Sequence, residues 1–307
     1  MLNRLAIPRF FDKMFDPDGN VERIRSYIEK SQRRRFSGAG AIIGSYGFGK
    51  THFLKHLEHV YSSSKKVLPI YVSSPGRSFL DLYNAVMRKL LKNRMYKEIA
   101  LRVINDKIAI TPADSSETYE YFYYLWLLGE KLDAKIRRKL GLTRNLDVWT
   151  SLEMLTQLIL EGDKLILILL DEFETILELK KYKRLSYMNA LRRLIDDASY
   201  NLFMLVASTP AGWDEIVSIN MALSRRLSAM LIYLRNLTKN EVLEFLRIYL
   251  PEVASFLPES VVDRLYDYTN GNPGEILRLT AIIYDEIYLR NGKIDPEEAI
   301  KAISLYA

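Results

Sequence analysis

Short apolar runs punctuate the first three quarters of the chain, and between them apolar residues recur three and four positions apart. The runs at 39–43, 66–72, 164–170, 201–207 and 229–234 predict strands. The run at 165–170 is apolar at every position and is bounded by Lys164 and Asp171, as a central parallel strand should be. Pro69, inside the second run, fits an edge strand better than a central one. Helical spacing at 21–30, 52–61 and 79–91 alternates with these runs, and Asp16-Pro17-Asp18-Gly19-Asn20 supplies the turn and cap ahead of the first helix. Strands alternating with helices predict an α/β fold: one mostly parallel five-stranded sheet covered on both faces, a three-layer αβα arrangement.

Two segments break the alternation. Residues from about 93 to 162 form a long, mostly helical insertion that carries the aromatic run from Tyr119 to Trp126. Aromatics this dense can stack on bases, but two faces of a packed helix are the commoner use and the expectation here. From Thr238 onward the pattern is wholly helical, at 239–250, 258–269, 275–289 and 296–304. The predicted division is therefore an αβα domain over 1–236 and a small all-helical lid domain over 237–307.

Chemistry enters directly after the first strand. Gly44-Ser45-Tyr46-Gly47-Phe48-Gly49-Lys50-Thr51 reads G-x-x-x-x-G-K-T, between a predicted strand and a predicted helix. Glycines let backbone N–H groups converge on phosphate oxygens, and the helix start at His52 adds positive potential. Lys50 would reach the β- and γ-phosphates, and Thr51 would ligate Mg²⁺. The expected ligands are therefore ATP and Mg²⁺. Asp171-Glu172 closes the third strand, which sets both carboxylates at the sheet edge beside this loop. Asp171 would hold Mg²⁺, and Glu172 would orient or deprotonate the attacking water. Ser208-Thr209 ends the fourth strand, where Thr209 is the candidate to touch the γ-phosphate and Ser208 the second choice. Glu174 is expected to face away. His52, His56 and His59 share one helix, and with no matching ligand elsewhere they read as helix packing or surface.

Composition narrows the setting. The chain has 307 residues, no cysteine and a formal net charge of +6. Without cysteine there is no disulfide framework or thiolate metal site, and no run is long enough to span a membrane, so a cytoplasmic protein is expected. The N-terminal Met1–Leu5 stretch lacks a signal-peptide core. Glutamine occurs only at Gln32 and Gln157, a bias shared with thermophile proteins. The charge is too modest to require nucleic acid, but it is clustered: Arg33-Arg34-Arg35, Arg192-Arg193, and Lys180-Lys181-Tyr182-Lys183-Arg184 just after the acidic pair.

With the phosphate loop, the D-E pair, a polar residue ending the next strand and a helical lid, the chain resembles an AAA+ ATPase over nearly its whole length. Within that superfamily it resembles the origin-recognition and STAND side, through Gly271-Asn272-Pro273 at the start of a lid helix. The strings GSYGFGKTHFL, SPGRSFLDLYNAV and LDEFE are also similar to P-loop proteins of BREX-type phage defence. The resemblance implies a P-loop NTPase core, an archaeal source and assembly into a homo-oligomer in the ATP state. It places an arginine finger at Arg225 or Arg226 and lets Pro273 border the nucleotide. The lid sensor arginine of the family falls on Gly274, so Arg278, one turn later, is the substitute it implies. ATP hydrolysis coupled to remodelling or loading of a macromolecular partner is one implied function. A slow, ATP-gated switch or binding module is the other. Origin-recognition proteins add a winged-helix domain that has no room before Ala307. DNA contact is therefore expected to be electrostatic, through Lys180, Lys181, Lys183 and Arg184.

Overall fold

Strands form where the apolar runs lie, and their alternating side chains enter two different cores. The computed structural model describes residues 11–34, 36, 38–108, 117–142, 144–288 and 292–306. Arg35 and the Met1–Leu5 stretch lie outside the described residues. In chain order the first elements are α1 (Asn20–Arg34), β1 (Gly38–Ile43), α2 (Lys50–Ser62), β2 (Val67–Val72) and α3 (Phe79–Leu90). The insertion supplies α4 (Arg94–Ile108), α5 (Glu117–Leu127), α6 (Ala134–Lys139) and α7 (Val148–Glu161). Then come β3 (Leu165–Leu170), a 3₁₀ turn (Phe173–Glu178), α8 (Lys181–Asp197), β4 (Leu202–Ser208), α9 (Pro210–Ile219), α10 (Met221–Leu227) and β5 (Leu231–Tyr233).

The sheet order is β2-β3-β4-β1-β5, and every pairing is parallel rather than mostly so. Ile166, Ile168 and Leu170 of β3 point into the core shared with α3, α7 and α8, while Leu165, Leu167 and Leu169 point to the core shared with α1 and α2. That two-sided burial explains why β3 is apolar throughout. Pro69 lies on β2, an edge strand as expected.

The insertion belongs to the first of these cores. Tyr123 and Trp126 of α5 are buried, and they donate to the carbonyls of Leu140 and Arg144. The packing expectation holds for these two residues, whereas Tyr121 is exposed.

The lid comprises α11 (Lys239–Tyr249), α12 (Pro251–Ala254), α13 (Glu259–Thr269), α14 (Pro273–Ile283) with a π turn at Tyr284–Tyr288, and α15 (Pro296–Tyr306). It has its own apolar core, into which Phe15 also inserts, edge-on to Phe245 at 5.7 Å between ring centroids. Among the described residues no helix is long and apolar enough to cross a membrane.

Candidate functional site

Three strand ends meet at one edge of the sheet. The loop after β1 lies beside the end of β4, where the Gly44 N–H donates to the Ser208 carbonyl at 3.2 Å. β3 flanks β4 on the other side and ends in Asp171. These ends open into a cavity of about 770 Å³, a size suited to a nucleotide. Tyr46 to His52, Asp171, Glu172 and Glu174 form its floor. Pro273 borders the cavity as expected, and two further walls were not expected from the sequence: the segment from Phe11 to Asn20, and the lid residues Phe245, Tyr249, Gly274 and Leu277.

The loop is arranged around Lys50. Its Nζ donates to the carbonyls of Gly44 (2.7 Å) and Ser45 (3.1 Å), and lies 5.5 Å from the Tyr46 ring centroid. Burial lowers the Lys50 pKa, against the negative charges of Glu174, Asp171 and Glu172, which pull it up. Gly47 and Gly49 have φ of 82° and 84°, the left-handed region this loop requires ahead of α2. Thr51 is exposed in the first turn of α2 and lines the cavity.

Asp171 is only 2% exposed, and each carboxylate oxygen has one donor. Oδ1 accepts the Glu172 N–H at 3.0 Å, and Oδ2 accepts the Tyr71 hydroxyl at 3.0 Å. Burial, followed by the Asp171 charge, raises the Tyr71 phenol well above its ordinary range, so it stays a donor. Lys55 Nζ sits 3.5 Å from the Tyr71 ring centroid, and Lys89 Nζ donates to the Tyr71 carbonyl at 2.9 Å. Glu58 binds both lysines; burial would raise its pKa, but those two partners hold it below its ordinary value. Glu172 is exposed and lines the cavity in a left-handed conformation (φ 49°, ψ 41°), uncommon for a residue with a side chain.

Glu174 corrects the expectation that it faces away. The strand stops at Leu170, and the backbone turns through Glu172 into 3₁₀ geometry, so strand alternation no longer predicts side-chain direction. Glu174 therefore lines the cavity, and its Oε1 accepts the Thr209 N–H at 3.3 Å. Thr209 does not line the cavity: its Oγ1 accepts the Gly212 N–H at 3.2 Å and caps α9. Ser208 is buried and donates to the Thr209 carbonyl.

The lid closes directly on the loop. Asn272 caps α14 by accepting from the N–H groups of Gly274 and Glu275, and its Nδ2 donates to the Tyr46 carbonyl at 3.1 Å. The Gly274 N–H also donates to the Gly47 carbonyl at 3.0 Å. A Cβ at 274 would lie 3.0 Å from both the Cα and the carbonyl oxygen of Gly47, so glycine is what permits this approach.

Arg278 does not reach the cavity. Its guanidinium is held by Glu275 (2.7 Å) and the Tyr306 carbonyl (3.0 Å), because the α14 face one turn on is turned toward α15. The cavity instead contains Arg235, which joins Asp18 (3.0 Å), Glu241 (2.8 and 2.9 Å) and the Asn236 carbonyl. The paired Arg235 guanidinium holds the Glu241 carboxyl at a pKa of about 2.

The histidines fasten the 11–20 segment to α2, apart from His59, which is exposed. His52 Nε2 meets the Lys13 carbonyl at 2.9 Å and the Tyr249 hydroxyl at 3.1 Å, and His56 Nδ1 meets the Phe11 carbonyl at 2.8 Å. A carbonyl only accepts, so Nε2 of His52 carries the proton. Burial lowers the His52 pKa, against the Lys13 carbonyl, which pulls it up. Among the described residues no group of three or more His, Asp or Glu side chains could hold a metal alone.

The two arginines of α10 differ. Arg226 makes a bidentate pair with Asp196 of α8 (2.8 and 2.9 Å), whereas the exposed Arg225 side chain, among the described residues, meets the Met221 sulfur at 3.8 Å and no carboxylate. Only Arg225 is therefore available to a neighbouring molecule without breaking an ion pair.

A triphosphate with Mg²⁺ fits these groups. Backbone donors and Lys50 would meet the anion at the start of α2. Thr51 and Asp171 would hold the metal, since each Asp171 oxygen keeps a lone pair beyond its single donor.

A family model described as an ATPase domain predominantly from Archaea matches residues 16–279. No curated protein matches the chain. Among solved structures, the Aeropyrum pernix ORC2 protein in ADPNP and ADP complexes is 16% identical, with a TM-score of 0.58 over 98% of this chain and 72% of that one. The Aeropyrum pernix ORC1 protein in complex with DNA is 15% identical, with a TM-score of 0.59 over 99% and 68%. The Walker-type ATPase PABY2304 of Pyrococcus abyssi is 15% identical, with a TM-score of 0.55 over 99% and 75%.

Proposed function

The chain belongs to the ATPase family found predominantly in Archaea, with the AAA+ P-loop fold of the origin-recognition proteins, and from that premise we propose that it is a Mg²⁺-dependent ATPase acting on a macromolecular partner. The observation that carries this is the single cleft in which the phosphate loop, Asp171 and Glu172 meet beneath a lid bonded to the loop. Lys50 binds the β- and γ-phosphates, and Thr51 and Asp171 would hold Mg²⁺. When bound, the metal neutralises charge on the phosphate oxygens. Glu172 orients the attacking water and takes its proton as the water oxygen bonds the γ-phosphorus. The bond to the β–γ bridging oxygen breaks, and ADP and phosphate leave. Arg225 completes the site of a neighbouring copy in the ATP-bound oligomer, and Arg226 is the weaker choice because of its pair with Asp196.

Tyr71 follows from the same reading as the residue that fixes Asp171. Tyr71→Phe removes the donor to a buried carboxylate, a bond worth about 1.5–3 kcal/mol. The gain in nucleotide affinity on adding Mg²⁺ should then shrink about tenfold, with metal-free affinity unchanged. An unaltered Mg²⁺ dependence in a binding titration would remove Tyr71 from the site.

DNA is the proposed partner. Lys180, Lys181 and Lys183 are exposed, their side chains carry no hydrogen bond or ion pair among the described residues, and exposed Tyr182 stands between them. Arg184 contributes less, since it is held by the Leu177 carbonyl (3.0 Å) and Glu215 (3.4 Å). An ATPase assay with and without DNA, paired with mass measurement in ATP, tests the whole proposal. Lys50→Ala should lose ATP binding. Replacing the three lysines with Ala should abolish DNA affinity that itself falls steeply with salt. No DNA binding at low salt, or binding indifferent to the lysines, would refute the DNA reading.

One observation favours the second reading, a slow ATP-gated switch in the cytoplasm. The lid brings no arginine of α14 to the cleft, because Gly274 meets the loop through its backbone and Arg278 is held elsewhere. In this reading ATP fixes a lid position, and its hydrolysis serves mainly to reset it.

A further inference from the structure

Glu174 lines the cleft together with Lys50 and lies against the end of β4. Its Oε1 accepts the Thr209 N–H, at the strand end that borders the phosphate side of the cleft. Its Oε2 is buried and has no donor among the described residues. A half-satisfied carboxylate is held at an energetic disadvantage and gains if a better arrangement is offered. Its charge also acts on the Lys50 ammonium more than those of Asp171 and Glu172 do. Gly212 makes the placement feasible. A Cβ there would lie 2.5 Å from Glu174 Cβ and 3.0 Å from the hydroxyl oxygens of Ser208 and Thr209.

We propose that Glu174 is an internal anion that opposes a γ-phosphate in the cleft it lines together with Lys50, and so sets the preference of the cleft between ATP and ADP. The inference rests on the reading of the cleft as an ATP site. ADP ends one phosphate short and leaves Glu174 in place. ATP brings a further negative charge into the cleft that Glu174 lines, and two anions at close range repel each other. Glu174 then releases Thr209, which caps α9, and the movement has a covalent route through α9 to α10 and Arg225. Glu174 is thus a specificity-determining residue, distinct in role from Glu172.

The test compares the binding of a non-hydrolysable ATP analogue and of ADP, each with Mg²⁺, to the wild type, Glu174→Gln and Glu174→Ala. Gln keeps the shape and the acceptor for the Thr209 N–H but removes the charge. Binding of the ATP analogue should tighten by about five- to tenfold, while ADP affinity stays within about twofold. Glu174→Ala should shift the ratio in the same direction, which covers the case in which one variant does not fold. A ratio that is unchanged, or that moves against the ATP analogue, overturns the proposal. Wild-type protein that binds neither nucleotide would instead overturn the reading of the cleft.

Discussion

The Glu172→Gln protein should bind ATP as tightly as the wild type and hydrolyse it about a hundredfold or more slowly. The substitution keeps side-chain volume and removes only the basic oxygen, so Lys50 and the loop carbonyls that hold its ammonium are untouched. Glu172 is not needed to fix Asp171 through its side chain, because its contribution there is a backbone N–H. Its left-handed backbone costs of order 1 kcal/mol or more for a residue with a Cβ. That cost is retained at the point where the chain leaves β3, and it aims the side chain into the cleft rather than along the strand. Phosphate-release kinetics beside an equilibrium binding titration read the two quantities separately. Undiminished hydrolysis by Glu172→Gln would transfer the base to another group.

Gly274→Arg should weaken ATP binding by about tenfold and slow turnover, although it restores the residue type that the family's lids carry at this place. Any side chain at 274 meets the backbone of Gly47, which cannot rotate aside as a side-chain tip would. The lid must then lift, breaking the Gly274–Gly47 and Asn272–Tyr46 hydrogen bonds. Two such bonds are worth roughly 1–3 kcal/mol together, which corresponds to the loss in affinity. Limited proteolysis at the hinge near Leu237, whose N–H donates to the Gly271 carbonyl, should become faster in parallel. A Gly274→Arg protein that hydrolyses ATP faster at unchanged affinity would show that the lid can seat an arginine here.

What the sequence disclosed and what it withheld divide along the range of the interactions. The loop from Gly44 to Thr51 is local in sequence, so its strand, turn and helix could be read from eight residues and their flanks. The acidic pair could be read because an apolar strand ends in it, and Pro69 marked an edge because of its missing donor. The hydroxyl that fixes Asp171 comes from 100 positions away, and the bond joining Phe15 to Tyr249 spans 234. No local pattern announces either. Asp16–Asn20 read only as a turn and a cap, which it is: Asp16 Oδ2 accepts the Val21 N–H at 2.7 Å. Its place as a wall of the cleft depends on Phe15 entering the lid core. Arg278 misled for the opposite reason, since helical spacing gives the face of a residue but not the direction in which that face is turned.

The edge of the sheet at β2 has a consequence for how copies of this chain can meet. An open strand edge invites another strand to add to it, the usual route to filaments and aggregates. Pro69 lacks a donor in the middle of that edge strand, and the Tyr71 carbonyl is already taken by Lys89. Both obstacles stand on one of the two strands whose far side has no neighbour in the sheet, β5 being the other. Growth by strand addition is thereby discouraged at the β2 edge, so a copy that adds a strand to this sheet has the short β5 edge (Leu231–Tyr233) as its alternative.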